Sequence, residues 1–116
     1  MTYYDEKYYE LPNQATIERA NTFYFKHLLL ADKELDIEFD KDVLGGIALL
    51  ILGIKLSIWI SFLNNGNDTV VIIDNGRTFS YELNNNSTNI IKEYISHTNN
   101  ISLFRYLIRK ITSLFG

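Results

Sequence analysis

The chain predicts an α+β domain: an N-terminal helix, a four-stranded antiparallel β-meander and one or two C-terminal helices. Three observations carry that prediction. Glycines cut the apolar middle of the chain into strand-length pieces, one of which alternates with a period of two. Two Asn- and Gly-containing clusters then separate further β-rich runs. The flanking segments instead repeat their apolar residues every three or four positions, the spacing of a helix face. With 116 residues, 47% of them apolar, the chain is long enough to bury one core and is most simply one domain.

Taken in order, residues 1–12 form an irregular, Tyr-rich start that ends at Pro12. Asn13 is suited to cap a helix over 13–31, because its side chain can accept from the unpaired N–H groups of the first turn. Ile17, Ala20, Tyr24, Leu28 and Ala31 would form the inward stripe. Residues 32–42 read as an acidic linker or edge strand, and 43–83 as the meander.

The run from Val43 to Leu63 contains a single charge, Lys55, over a length comparable to a membrane span. Its period argues for strands instead. In KLSIWISF, Leu56, Ile58, Ile60 and Phe62 fall on one side, with Lys55, Ser57, Trp59 and Ser61 on the other. IALLIL, bounded by Gly46 and Gly53, reads as the neighbouring strand. Asn64 to Asp68 is a turn, TVVIID a third strand, Asn75-Gly76 a hairpin turn and TFSYEL a fourth strand. Ser87 or Thr88 caps a short helix with Ile90, Ile91, Tyr94 and Ile95 inward. A last helix over 101–115 aligns Ile101, Phe104, Ile108, Ile111 and Phe115.

The inventory for catalysis is poor. The absence of Cys removes thiolate chemistry, disulfides and Cys-based zinc sites together, and fits a reducing, cytoplasmic setting. No basic stretch followed by an apolar run opens the chain, so no export signal is expected. His27 and His97 are far apart in sequence on different elements, Gly45-Gly46 lacks the Lys-Ser/Thr of a phosphate loop, and no nucleophile elbow surrounds any Ser. The expectation is a protein that is not an enzyme, with no metal and no cofactor.

Charge is unevenly spread. Residues 1–42 carry ten acids against five bases, and residues 43–116 carry four acids against six bases. No Lys/Arg block is dense enough to grip a phosphate backbone, so direct nucleic-acid binding is not expected. The distinctive polar stretch is ADKELDIEFDKD. Asp32, Glu34, Asp36, Glu38, Asp40 and Asp42 fall on every second residue, so an extended ribbon turns all six one way, with Leu35, Ile37 and Phe39 toward the core. Such a row either discourages edge-to-edge aggregation or offers a negative surface that imitates a nucleic-acid backbone. A second candidate surface is aromatic: Tyr3, Tyr4, Tyr8 and Tyr9, a residue type favoured at interfaces. The third is the 101–115 stripe, with Arg105, Arg109, Lys110 and no acid, which can dock on the sheet, pair in a homodimer or lie on an anionic membrane.

PNQATIERA, followed by an acidic linker, GGIALLI and an alternating strand, resembles a broad family of small uncharacterised bacterial proteins. In that family P-S-x-x-A-I-x-x-A opens a helix and D-G-G-[IV]-x-L-E-W opens a short meander. Pro12, Ile17, Ala20, Gly45, Gly46, Ile47 and Leu49 match; Tyr4, Glu6 and Tyr8 depart from the family's N-terminal W-D-G-Y-G stretch, as Leu44 and Leu50-Ile51 do from the strand motif. The resemblance implies a helix-plus-meander fold and, through the mobile or defence-related settings of such proteins, an antitoxin-like or inhibitor-like role. The functional expectation is therefore a non-enzymatic protein-binding inhibitor. It would neutralise a toxin or nucleic-acid-handling partner through the acidic segment and the N-terminal tyrosines. The alternative is a small membrane-associated protein anchored by 43–63 or by the last helix.

Overall fold

A computed structural model of the chain describes residues 11–29, 36–42 and 44–97. The fold is α+β, with an N-terminal helix, an antiparallel sheet and a C-terminal helix. The sheet has five strands, not four, in the order β1 (Asp36–Lys41), β2 (Gly46–Leu52), β3 (Leu56–Leu63), β4 (Thr69–Asp74) and β5 (Arg77–Glu82). The additional strand is the acidic segment, which pairs with β2 from Asp36↔Leu52 to Lys41↔Ile47. Its alternation decides this outcome: Ile37 and Phe39 point to one face while the carboxylates point to the other, and an edge position leaves those carboxylates in water.

The registers divide the sheet into two faces. Ile37, Ile47, Leu49, Ile51, Leu56, Ile58, Ile60, Phe62, Val70 and Ile72 share the inner face. Leu49, Ile58, Ile60, Val70 and Ile72 are fully buried there. Removing each such side chain from water contributes about 1.5–3 kcal/mol. This is where the apolar middle of the chain goes. Residues 46–63 form two strands of one sheet, and among the described residues no helix is long and apolar enough to cross a membrane.

Helix α1 (Gln14–Phe23) lies on the inner face and runs into a π-helical turn (Tyr24–Leu28). Asn13 is its cap, accepting from the Thr16 N–H at 2.8 Å. The buried stripe is Thr16, Ala20, Phe23 and Leu28, while Ile17 and Tyr24 are only half-buried. From Phe23 an ordinary helix would next aim His27 inward. The π-turn, closed by Leu29 N–H to the Tyr24 carbonyl at 2.9 Å, widens the repeat so that Leu28 takes the core position. Ala31 lies outside the described residues.

The hairpins follow from turn chemistry. Asn75 (φ 50°) and Gly76 (φ 84°) both take the positive φ that a two-residue hairpin demands, giving the Asp74↔Arg77 closure. Gly46 has φ 138°, and a Cβ there would run into the Phe62 carbonyl oxygen across the β2–β3 pair. Helix α2 occupies residues 85–97 and buries Ile91 and Ile95 against the same inner face, with Ile90 and Tyr94 packed beside them. Its cap is Asn84, not Ser87 or Thr88. Asn84 Oδ1 accepts from Ser87 N–H, and Ser87 Oγ accepts from Asn84 N–H, each at 2.9 Å. This reciprocal box starts the helix a turn earlier than the hydroxyl residues alone suggested. The expected helix over 101–115 lies outside the described residues.

Candidate protein-interaction surface

Opposite the core, the sheet presents an outer face over which no described element packs. The registers place Glu38, Leu50, Trp59, Val71 and Ser80 in one row across all five strands. Leu50 and Val71 are half-buried, as are the flanking Ala48, Leu52 and Ile73. Trp59 is 50% exposed at the centre of the sheet. The alternation of KLSIWISF sets this tryptophan opposite Ile58 and Ile60, and among the described residues α1 and α2 both cover the inner face, leaving the indole half-exposed.

The acidic segment keeps half of its expected ladder. Asp36, Glu38 and Asp40 are exposed on the outer-face side of β1, the edge strand. Successive carboxylates on one side of a strand are about 6.6 Å apart. Asp42 departs from the expected row because the chain has left the strand. Its carboxylate accepts from Leu44 N–H at 2.9 Å, and its carbonyl accepts from Gly45 N–H at 3.0 Å, so it builds the β1–β2 turn. Asp32, Glu34 and Leu35 lie outside the described residues, as do Tyr3, Tyr4, Tyr8 and Tyr9. Phe39 turns to the inner side as expected but stays 48% exposed at the sheet margin, its ring 5.6 Å from that of Tyr24.

The strand residues of the outer face carry acids only; Lys55, which the alternation of KLSIWISF puts on the Trp59 side, stands just before β3. Of the strand residues on it, Asp36, Glu38, Asp40 and Glu82 are ionisable and all are acidic, because Lys41 and Arg77 alternate to the other side. An apolar strip containing one large aromatic group and bordered by carboxylates has the composition found at protein interfaces. The row is assembled only from four successive registers, so no single segment of the sequence announces it.

A second concavity, an open groove of about 520 Å³, runs beside α1 past Glu18, Arg19, Phe23, Lys26, His27 and Asp68. Arg19 is already engaged, with Nε 2.9 Å and Nη2 3.1 Å from the two Asp68 oxygens and Nη2 also donating to the Leu63 carbonyl at 2.6 Å. The His27 ring lies 4.8 Å from that of Phe23, tilted 56° to it, and its buried Nδ1 has no hydrogen-bond partner among the described residues. Burial first, then Lys92 and Lys26, hold its pKa below the ordinary histidine value. Among the described residues no group of three or more His, Asp or Glu side chains could hold a metal ion. The Arg19–Asp68 pair had no local signal, its partners standing 49 residues apart.

Comparison with known protein families, characterised proteins and solved structures returns no match for this chain. The functional reading therefore rests on the outer face itself.

Proposed function

We propose that this protein is a non-enzymatic binding protein that neutralises a partner protein by occupying its surface. The observation that carries the reading is the exposure of Asp36, Glu38 and Asp40 along one side of an edge strand, bordering the face that holds half-exposed Trp59. Charged edge residues alone serve to prevent strand-to-strand aggregation. An uncovered tryptophan in an apolar strip beside them has no such protective use, and aromatic anchors with a polar border are how binding energy concentrates at interfaces. The row of carboxylates suits a partner whose own surface is basic, such as a toxin or a nucleic-acid-handling protein of the kind that antitoxins and anti-defence inhibitors block. Inhibition by occupation needs no catalytic residue, cofactor or metal. Asp42, committed to its turn, is not part of this surface. The N-terminal tyrosines belong to the proposal on their residue type alone.

Affinity capture from the native cell tests the reading. The parent chain should retain a partner at low ionic strength and release it as salt rises, since exposed charges are screened within about 10 Å at 0.1 M salt. The triple variant D36K/E38K/D40K, changed only at exposed positions, should fail to capture it. Retention of the same partner by the triple variant would remove the acidic edge from the mechanism.

A further inference from the structure

We infer that the outer sheet face binds an arginine-bearing segment of a partner protein, with one guanidinium seated above Leu50 between the Glu38 carboxylate and the Trp59 indole. This rests on the protein-binding reading above and adds the chemistry of the partner and the place where it docks. Glu38, Leu50 and Trp59 are consecutive members of one cross-strand row. Directly opposed residues of adjacent antiparallel strands have Cα atoms about 4.5–5.5 Å apart, so Glu38 and Trp59 stand roughly 10 Å apart on either side of Leu50. That interval is the reach of one long side chain. An arginine lying there would cover Leu50 with its methylene stem and present its planar head to a carboxylate on one side and an aromatic face on the other.

Charge selects this occupant over its rivals. The strand residues of the outer face include four acids and no base. A second copy laid face to face would set acidic row against acidic row, and an anionic membrane or a nucleic acid would meet the same repulsion. A cationic surface gains on every count, and it relieves the exposure of Trp59, which at 50% is large for the centre of a sheet. Arginine is favoured over lysine because its guanidinium both pairs bidentately with carboxylate and stacks on an indole, whereas the compact ammonium is more strongly hydrated.

The test uses the full chain and two blocked ten-residue peptides of equal charge, one alternating arginine with serine and the other alternating lysine with serine. Trp59 is the chain's single tryptophan, so its emission reports this face alone. The arginine peptide should change that emission saturably and bind about twofold to fivefold more tightly than the lysine peptide, the range set by an exposed cation–π contact. E38Q should weaken the arginine peptide by a similar factor. W59L, followed by anisotropy of a labelled peptide, should abolish the preference for arginine while the circular dichroism spectrum stays that of the parent. Equal affinity for the two peptides, unchanged Trp59 emission on binding, or parental binding by E38Q and W59L would overturn the inference. So would a peptide-free emission shift that grows with protein concentration, which would assign the face to a second copy. The two failures are distinguishable. Loss of partner capture by D36K/E38K/D40K alongside peptide binding indifferent to E38Q and W59L keeps the acidic edge and discards the arginine seat. Undiminished capture by the triple variant, which also lacks the Glu38 carboxylate, overturns both.

Discussion

Asp68 is the residue whose removal should most clearly expose how the helix is fastened to the sheet. Its side chain is only 13% exposed, and its Oδ1 accepts from Leu63 N–H at 2.9 Å, closing the β3–β4 turn around itself. The same carboxylate holds Arg19 of α1 through two contacts, at 2.9 and 3.1 Å. In D68A the Leu63 N–H loses its acceptor in a part-buried turn, which costs about 1–3 kcal/mol. The ion pair adds less, because the Arg19 side chain is 36% exposed and water screens it; a solvated pair of this kind is worth about 0.2–1 kcal/mol. Together these place D68A about 2–3 kcal/mol below the parent, or roughly 10 °C in Tm for a domain of this size. D68N, which keeps an acceptor for Leu63, should lose only about 0.5–1 kcal/mol, and R19A about the same. Urea unfolding followed by Trp59 emission and by circular dichroism gives all three values. If D68A proved no less stable than R19A, the carboxylate would be serving the arginine and not the turn, and the reasoning would be refuted.

Three further outcomes follow from other parts of the fold. His27 has a folded-state pKa below its ordinary value, so the unfolded chain binds the extra proton and stability must rise with pH through that interval. The parent should therefore hold its full His27-linked stability above about pH 6.5 and lose it progressively below, while H27Q shows a flatter profile between pH 5 and 7 in thermal melts. Deleting Phe25, an exposed residue of the π-turn, brings Leu28 to an ordinary α-helical spacing from Phe23, and the shortened chain should melt within about 1 kcal/mol of the parent by denaturant titration. G46A should be destabilised by 2 kcal/mol or more in the same titration, as a rough figure for a buried clash combined with positive φ, and a parental midpoint would show that the β2–β3 pair can yield there.

Much of the fold could be read from the residues because its determinants are local. The alternation of KLSIWISF, the β-branched TVVIID and the Asn75-Gly76 turn each act within a few residues, and β3, β4, β5 and the last hairpin stand where these signals put them. The first strand was harder to recognise. Its acids argue against a sheet by propensity while the alternation of Ile37 and Phe39 argues for an edge strand, and the pairing with β2 decides between linker and strand. In α1 the expected Ala20 and Leu28 are buried, but Thr16 and Phe23 take the places expected of Ile17 and Tyr24, and Leu28 reaches the core through a π-turn that no local pattern announces. Within the candidate surface, the exposed positions Asp36, Glu38 and Asp40 were apparent from their spacing, whereas the role of Asp42 was not, because where a strand ends is set by the turn beyond it. The row joining Glu38 to Trp59 is a tertiary fact, fixed jointly by two hairpin registers.

Each strand of the sheet pairs only with its neighbours in sequence, through connections of two to five residues. Short closures give up little chain entropy, and such topologies sit toward the fast end of the folding-rate range. As the polypeptide leaves the ribosome, every new strand finds its template already made, so the sheet can grow as a zipper with no wait for a distant segment. Among the described elements, the helix that precedes the sheet must wait, because it has no apolar platform to settle on until β2 and β3 have been synthesised.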